Sequence, residues 1–549
     1  MADADRASRG GDTGMTSVDA NSDAAVTHSY DPILVSYLSR AAARWPDRTW
    51  CITPREEISR ADALRDGSRI AAGLIAKGVR KGDRVVLVAG NGLDFVRAWL
   101  GLILCGAVTV SINPKAVASE LPAVIDEVRP ALVLVEAGLE VGHVEHTPPG
   151  GQPVPVMFID EAHAASDEAV VSLDRPPAGP DDPVSFIQSS GSTGKPKFVI
   201  ETNRMYTMAG EGFAHWLGLD DEDVLLTTLP LSHLNAQAYS VLGSWGCGAK
   251  LVLLPRFSAS SFWSDVAKYG ATVFNAIGAM LEALMAQPPS VSQERARVRL
   301  CYSAPAPAPA RHREIENRFG FRLVVGYALS ETPYGLIVPV DEPTVYGSMG
   351  VPRQHPTLGA VNEVRVVDAD GHEVADGTTG ELELRNPAIT PGYFGKTTES
   401  AAMRPGGWLR TGDLAVRRPD GHFFFGGRAK EVIRYKGENL SPAEVENAIG
   451  SHPAVRAVAV IGVPSALSEE DVKAFVQLRP GETASPTELA QWSATKLPPY
   501  KRPRYIELVT EFPLTDTQKI AKARLPRDRS TSEVDFAPRR DPRQDDRDT

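Results

Sequence analysis

Residues 188–198 read Gln-Ser-Ser-Gly-Ser-Thr-Gly-Lys-Pro-Lys-Phe. Gly191 and Gly194 stand among the hydroxyls of Ser189, Ser190, Ser192 and Thr193, with Lys195 and Lys197 behind them. Glycine tolerates positive φ and lets backbone N–H groups come close to an anion. Hydroxyl donors and ammonium groups complete a cradle for phosphate. The preceding Val184-Ser185-Phe186-Ile187 reads as a strand, so the run is expected to be a loop leaving a sheet. It is not a Walker A loop, which has Gly five residues before its Gly-Lys pair and Ser or Thr after it. Ser189 and Pro196 hold those two positions here. The other reading of the stretch is a flexible Gly/Ser linker. The two lysines and the flanking strand argue against that.

Around this loop, strands and helices alternate. Arg84–Ala89 has a short buried-strand pattern, followed by Asn91-Gly92 and a helix through Phe95–Leu104. Ala107–Ile112, Leu132–Val135 and Val156–Ile159 repeat the strand pattern. This βαβ grammar implies parallel sheets with covering helices. A second alternating unit is expected over roughly 205–340. Beyond about 345 the pattern becomes strands with short turns, including Glu363–Val367, Gly380–Leu384 and His422–Phe425, which predicts a small β-rich subdomain. The segment after Arg428 is long enough to fold as a unit of its own. The expected architecture is therefore α/β. A large N-terminal domain (30–427) holds two βαβ-type subdomains and the β-rich one, and a small α+β domain covers 428–527. Residues 1–29 and the charged stretch 528–549 are expected to be disordered tails.

Composition narrows the function classes. With 549 residues, more than one domain is expected. Hydrophobic content of 42% and charged content of 23% are those of a soluble globular protein. A net charge of −11 argues against a general nucleic-acid surface. Cys51, Cys105, Cys247 and Cys301 are too widely spaced for a zinc knuckle or a disulfide framework, and they read as reduced thiols of a cytoplasmic protein. No stretch reads as a membrane span or a secretory signal.

Further blocks recur in order. They are Gly326-Tyr327-Ala328-Leu329-Ser330-Glu331-Thr332, Gly380-Glu381-Leu382, Gly392-Tyr393-Phe394 and Gly407-Trp408-Leu409-Arg410-Thr411-Gly412-Asp413. Gly427-Arg428-Ala429-Lys430-Glu431 follows, then Lys436-Gly437-Glu438-Asn439, Pro442–Glu446 and Pro513-Leu514-Thr515-Asp516-Thr517-Gln518-Lys519-Ile520. Together with the 188–198 loop, these blocks resemble the adenylate-forming superfamily of acyl-CoA synthetases, peptide-synthetase adenylation domains and luciferases, over about residues 30–526. The stretches Leu253–Ser258, Phe262-Trp263 and Tyr269–Met280, with Asn203, look like the crotonobetaine/carnitine-CoA ligase branch.

The resemblance implies that ATP activates a carboxylic acid to an acyl-adenylate, releasing pyrophosphate, and that CoA then takes the acyl group as a thioester. It implies ATP, Mg²⁺ and CoA as partners, with dimers common in the family. Ser190, Gly191, Ser192, Thr193, Gly194 and Lys195 would hold phosphates, and Lys197 would join them or be solvated. Glu331 would ligate Mg²⁺, which favours carboxylate and phosphate oxygens, and Ser330 would touch the α-phosphate. Asp413 would bind the ribose hydroxyls, with Arg428 reaching ribose or phosphate. Gly326 and Tyr327 on one side and Ser303, Ala304 and Pro305 on the other would enclose adenine, unless Tyr327 is plain packing. Lys519 would bridge carboxylate and α-phosphate as charge shifts, the alternative being a solvated lysine. His233, Asn235, Asn275, Ala276, Ile277, Gly278 and Tyr302 would line the acyl pocket, although His233 also reads as a core histidine. No Asp stands near His233 to hold an α-amino group, which disfavours an α-amino acid.

Lys430 occupies the family's hinge position. Rotation there would withdraw Lys519 and bring Arg434, Lys436, Gly437 and Glu438 to the CoA step. Lys501, Arg502 and Arg504 would contact CoA phosphates or form a solvated basic turn. Two other functions fit the same blocks: adenylation with transfer to an amine or carrier protein, and a non-catalytic nucleotide-binding protein. Departures from the family pattern are Ala328 for Gly, Ser330 for Thr, Ser303 for Gly and Gln518 for Gly.

Overall fold

A computed structural model describes residues 30–139, 146–164, 178–189, 197–435, 438–465, 470–514 and 520–536. The expected tail 1–29 lies outside these residues. Strands rich in Val, Leu and Ile form three main sheets. The first has six strands, in the spatial order Val156–Phe158, Leu132–Val135, Arg84–Val88, Val108–Ile112, Pro183–Ser189 and Lys197–Thr202. All its pairings are parallel except the last. Its central strands are buried on both faces, with Thr109 and Ser111 on one face of Val108–Ile112. The helix Leu93–Cys105 buries nearly every side chain, and Gly106 ends it in the left-handed conformation.

The second sheet is larger than the sequence suggested. Parallel strands Lys250–Leu253, Val224–Thr227, Val273–Ile277, Leu300–Ala304 and Arg322–Leu329 form its middle. The sheet then continues antiparallel through Thr332–Ile337, Ser348–Pro352, Phe423–Arg428, Leu409–Arg417, Thr379–Arg385 and Glu363–Val367. The β-rich part after 345 is thus the extension of one 13-stranded sheet. The other end is closed by Thr49–Ile52 and Glu57–Ser59. One core joins the faces of the two large sheets through the helices Leu34–Arg44, Arg60–Ala76 and Asn203–Leu217.

The chain leaves the 13-stranded sheet at Arg428 and enters the next paired strand at Ile433. The C-terminal sheet orders Val455–Pro464, Glu470–Leu478, Tyr505–Leu508 and Glu533–Asp535, with the helices Pro442–Gly450 and Pro486–Ala494 packed on its core. Its last strand corrects the expected boundary at 527. Glu533–Asp535 pairs antiparallel with Tyr505–Leu508. Lys473, 1% exposed, binds Glu507 at 2.9 Å and Glu533 at 2.7 Å, and Arg504 binds Asp535 at 3.2 Å. Composition predicts disorder for this stretch because its charges find their partners only across the fold. Residues 537–549 lie outside the described part.

Candidate functional site

The phosphate-cradle residues Ser190–Lys195 lie outside the described residues, but the strands on both sides of them are clear. Ser189 ends one strand, Lys197 begins the next, and the two are cross-strand partners. Lys197 Nζ lies 2.6 Å from Glu399 and 4.8 Å from the centre of the Tyr393 ring.

Residues 392–394 run beside the strand Lys197–Thr202. Val199 and Tyr393 form a bridge, and the amide of Phe394 donates to Phe198 at 2.8 Å. Gly392 has φ of 149°, and a Cβ there would stand 2.5 Å from Ser400. This register places the Tyr393 hydroxyl, which donates to Glu331 Oε1 at 2.7 Å. Ser330 and Glu331 form the turn between Arg322–Leu329 and Thr332–Ile337. The Glu331 carbonyl accepts from Thr390 N at 2.9 Å. Glu331 is therefore fixed by backbone and side chain together. A carboxylate has about four lone-pair positions, so one bond from Tyr393 leaves capacity for a cation, and the residues fit Mg²⁺.

Asp413 is aimed by a local irregularity. The pairing of Thr379–Arg385 with Leu409–Arg417 shifts register between Glu381 and Glu383. Opposite that shift, Thr411 Oγ1 donates to Leu382 O at 2.7 Å, and the amide of Gly412, whose φ is 69°, donates to Glu381 at 3.1 Å. Asp413, 3% exposed, accepts from the Tyr327 hydroxyl at 2.7 Å and lies 3.2 Å from Arg428 Nε on the adjacent strand. Burial and the Asp413 carboxylate hold the Tyr327 phenol well above its ordinary range, so it stays a donor. Three residues from three sequence blocks thus meet, and Tyr327 follows Gly326 directly. A Cβ on Gly326 would lie 2.4 Å from the Tyr302 hydroxyl and 2.6 Å from Arg353 Nη2, so only glycine fits.

Ser303, Ala304 and Pro305 end the strand Leu300–Ala304, with Ser303 fully buried and Pro305 exposed. Of the acyl-pocket candidates, Asn275 Nδ2 donates to Ser240 Oγ at 2.9 Å. Asn235 opens a π-helical segment, Asn235–Val241, a feature frequent at functional sites. The His233 amide donates to Pro230 O at 3.1 Å, and Gln237 N donates back to His233 O at 3.3 Å. Ala276 and Ile277 complete their strand, and Gly278 starts the next helix opposite Pro305. The Tyr302 hydroxyl accepts from Arg353 Nη2 at 2.6 Å, inside an aromatic cluster with Phe213 and Tyr239. Arg353, 1% exposed, also donates to Leu336 O and Pro333 O and stacks on Trp216.

In the C-terminal part, Lys430 lies in the one-turn helix Ala429–Glu431, and the amide of Arg434 donates to Glu470 at 3.0 Å. Lys436, Gly437 and Lys519 lie outside the described residues, as does the side chain of Glu438. Lys501 is paired with Glu444, Arg502 donates to Leu497 O and Ala494 O, and Arg504 is paired with Asp471 and Asp535. The basic turn is engaged within its own domain.

Sequence reasoning missed Glu201. It is fully buried, neither carboxyl oxygen has a hydrogen-bond partner among the described residues, and burial together with nearby Glu331 pushes its pKa well above the ordinary 4.5. Alternation gave no warning: in the strand Lys197–Thr202 it sets Glu201 on the face of Lys197 and Val199, opposite Phe198 and Ile200. The role of Tyr393 was also unread, although its block was noticed.

The family model for AMP-binding enzymes matches residues 38–394, and that for the AMP-binding enzyme C-terminal domain matches 444–519. The chain belongs to the AMP-binding enzyme family. Among curated members, crotonobetaine/carnitine–CoA ligase of Escherichia coli (strain ATCC 8739) is 30% identical over 82% of this chain and 89% of its own length. The ligase of that name from Salmonella agona (strain SL483) is 29% identical over 85% and 93%. Among solved members, the anthranilate CoA ligase AuaEII in complex with anthranoyl-AMP superposes with a TM-score of 0.79 at 25% identity, covering 90% of this chain and 96% of that one. The o-succinylbenzoate CoA synthetase MenE of Bacillus subtilis, with its acyl-adenylate intermediate, gives 0.78 at 25%, covering 91% and 99%. Among the described residues no helix is long and apolar enough to cross a membrane.

Proposed function

We propose that this AMP-binding enzyme is an acyl-CoA ligase, joining a carboxylic acid to ATP as an acyl-adenylate and then to CoA as a thioester. The observation that carries the reading is the meeting of Tyr327, Asp413 and Arg428 in one hydrogen-bonded group. Asp413 offers acceptor oxygens to the ribose hydroxyls, and Tyr327 sets its ring against adenine. The substrate carboxylate attacks the α-phosphorus, and the bond to the pyrophosphate oxygen breaks. No protein nucleophile is needed. The protein's task is to hold two anions in line while charge moves onto the phosphates. Glu331, oriented by Tyr393, would hold Mg²⁺, which neutralises phosphate charge when bound. Ser330, next to it in the chain, would serve the α-phosphate, and residues 190–195 would serve the others. In the second step the CoA sulfur attacks the acyl carbon and AMP leaves. The names of the relatives, all CoA ligases, support CoA as the acceptor. The short passage 429–432 between two sheets supports a hinge at Lys430.

Asp413→Ala removes charged hydrogen bonds worth about 1.5–3 kcal/mol, or about 10- to 100-fold in affinity. The expected result is an ATP Kd raised by that factor in calorimetry; an unchanged Kd would remove the ribose assignment. The activity itself is tested with purified protein, ATP, Mg²⁺ and a panel of carboxylic acids, with and without CoA. Pyrophosphate release with CoA-dependent thioester is expected. Pyrophosphate and adenylate without thioester would move the acceptor to an amine or carrier protein. No release with any acid would leave a nucleotide-binding protein.

A further inference from the structure

Lys522 pairs with two carboxylates near the proposed hinge. Its Nζ lies 2.7 Å from Glu431 Oε2 and 2.8 Å from Glu446 Oε1. Glu431 closes the turn that contains Lys430, and Glu446 lies in the helix Pro442–Gly450. One ammonium thus ties together the hinge turn, the first C-terminal helix and the chain just beyond 515–519. Apolar and backbone contacts secure the same place. Leu514 and Ile520 form an antiparallel bridge, and Ala521 N donates to Pro513 O at 2.8 Å. Phe512 and Ile520 pack on one small core with Tyr505 and Leu525. The two ends of the 515–519 segment are therefore fastened to each other, and Lys522 fastens them to the hinge turn.

We propose that Lys522 is a positioning residue for the adenylation step, fixing the base of the segment that carries Lys519 relative to the hinge through Glu431 and Glu446. The proposal rests on the reading of Lys519 as the lysine of the first half-reaction. All three clamp residues lie on the C-terminal side of Lys430, so the clamp travels with that domain through any rotation. Its loss would matter where Lys519 acts and matter little once Lys519 has withdrawn. Two fixed carboxylates explain why a lysine is held here. A single half-buried ammonium between them pairs with both, whereas an apolar side chain would leave two like charges facing each other.

The test compares the full-length protein with Lys522→Ala and Lys522→Arg, using two readouts. The first needs no substrate: amide hydrogen exchange, read by mass spectrometry. In Lys522→Ala, exchange in peptides covering 510–524 is expected to rise at least about tenfold, with peptides from 470–478 unchanged. The second uses the panel acid with the greatest pyrophosphate release. Adenylate formation in Lys522→Ala is expected to fall about 30-fold or more, while supplied adenylate is converted to thioester within about threefold of the parent rate. Lys522→Arg is expected to recover most of the loss. Unchanged exchange at 510–524 overturns the proposal, and so does equal loss in both half-reactions. If no acid releases pyrophosphate, the ligase reading fails, and the exchange result still decides whether the clamp exists.

Discussion

Lys519→Ala is expected to slow adenylate formation by about 10²- to 10³-fold, the usual cost of removing one preorganised charge from a transition state. Thioester formation from supplied adenylate should stay within a few fold of the parent. The asymmetry follows from the two steps themselves. The first brings a carboxylate to a polyphosphate and builds charge on the α-phosphoryl group, where an ammonium acts most strongly. The second uses a neutral thioester-forming acyl carbon and a leaving AMP, and in the proposed rotation the C-terminal domain would by then have turned about Lys430. Single-turnover measurements of each half-reaction separate the two. Equal loss in both would contradict the rotation.

Glu201→Gln is expected to change how stability responds to pH. In the folded protein the Glu201 carboxyl is held well above its ordinary value of 4.5 by burial and by Glu331. In the unfolded chain it ionises near that ordinary value. Between the two values the folded state binds one proton more than the unfolded state, so stability is full below about pH 4.5 and falls as pH rises. The slope for one proton is about 1.4 kcal/mol per pH unit. Glutamine does not titrate, so the variant should lose this slope. Denaturant unfolding of both proteins at about pH 5.5 and 7.5 measures it. The parent should lose more stability than the variant over that interval. Parallel behaviour would mean that Glu201 is ionised within the fold. The comparison uses slopes because the buried amide carries its own desolvation cost.

The sequence made the order of the blocks readable because each needs particular residue types at short range. A glycine-rich loop, a Tyr before Ser-Glu and a Thr-Gly-Asp are local patterns, and the fold brings Asp413 and Tyr327 from two of them into one hydrogen bond. The alternating strands around 84–135 were legible for the same reason: apolar runs with turn residues between them. What stayed hidden depends on contacts between distant segments. Tyr393 reaches Glu331 across 62 positions, and Tyr302 is taken up by Arg353 across 51. Neither pairing leaves a mark in local composition. The 13-stranded sheet was hidden likewise, because the strands after 345 look local in their turns but join an edge made far upstream. Glu201 was hidden too, since alternation groups it with Lys197 rather than with Phe198 and Ile200.

The strand Glu533–Asp535 bears on how this protein should be handled. Its charged composition invites trimming at about residue 527. Such a cut would bare the hydrogen-bonding edge of Tyr505–Leu508, an invitation to sticking between molecules. It would also strip Lys473 of one of its two acidic partners in a place water scarcely reaches. A shortened version meant for crystals or for immobilisation should end beyond Phe536, and an affinity tag belongs after that point with a spacer of its own.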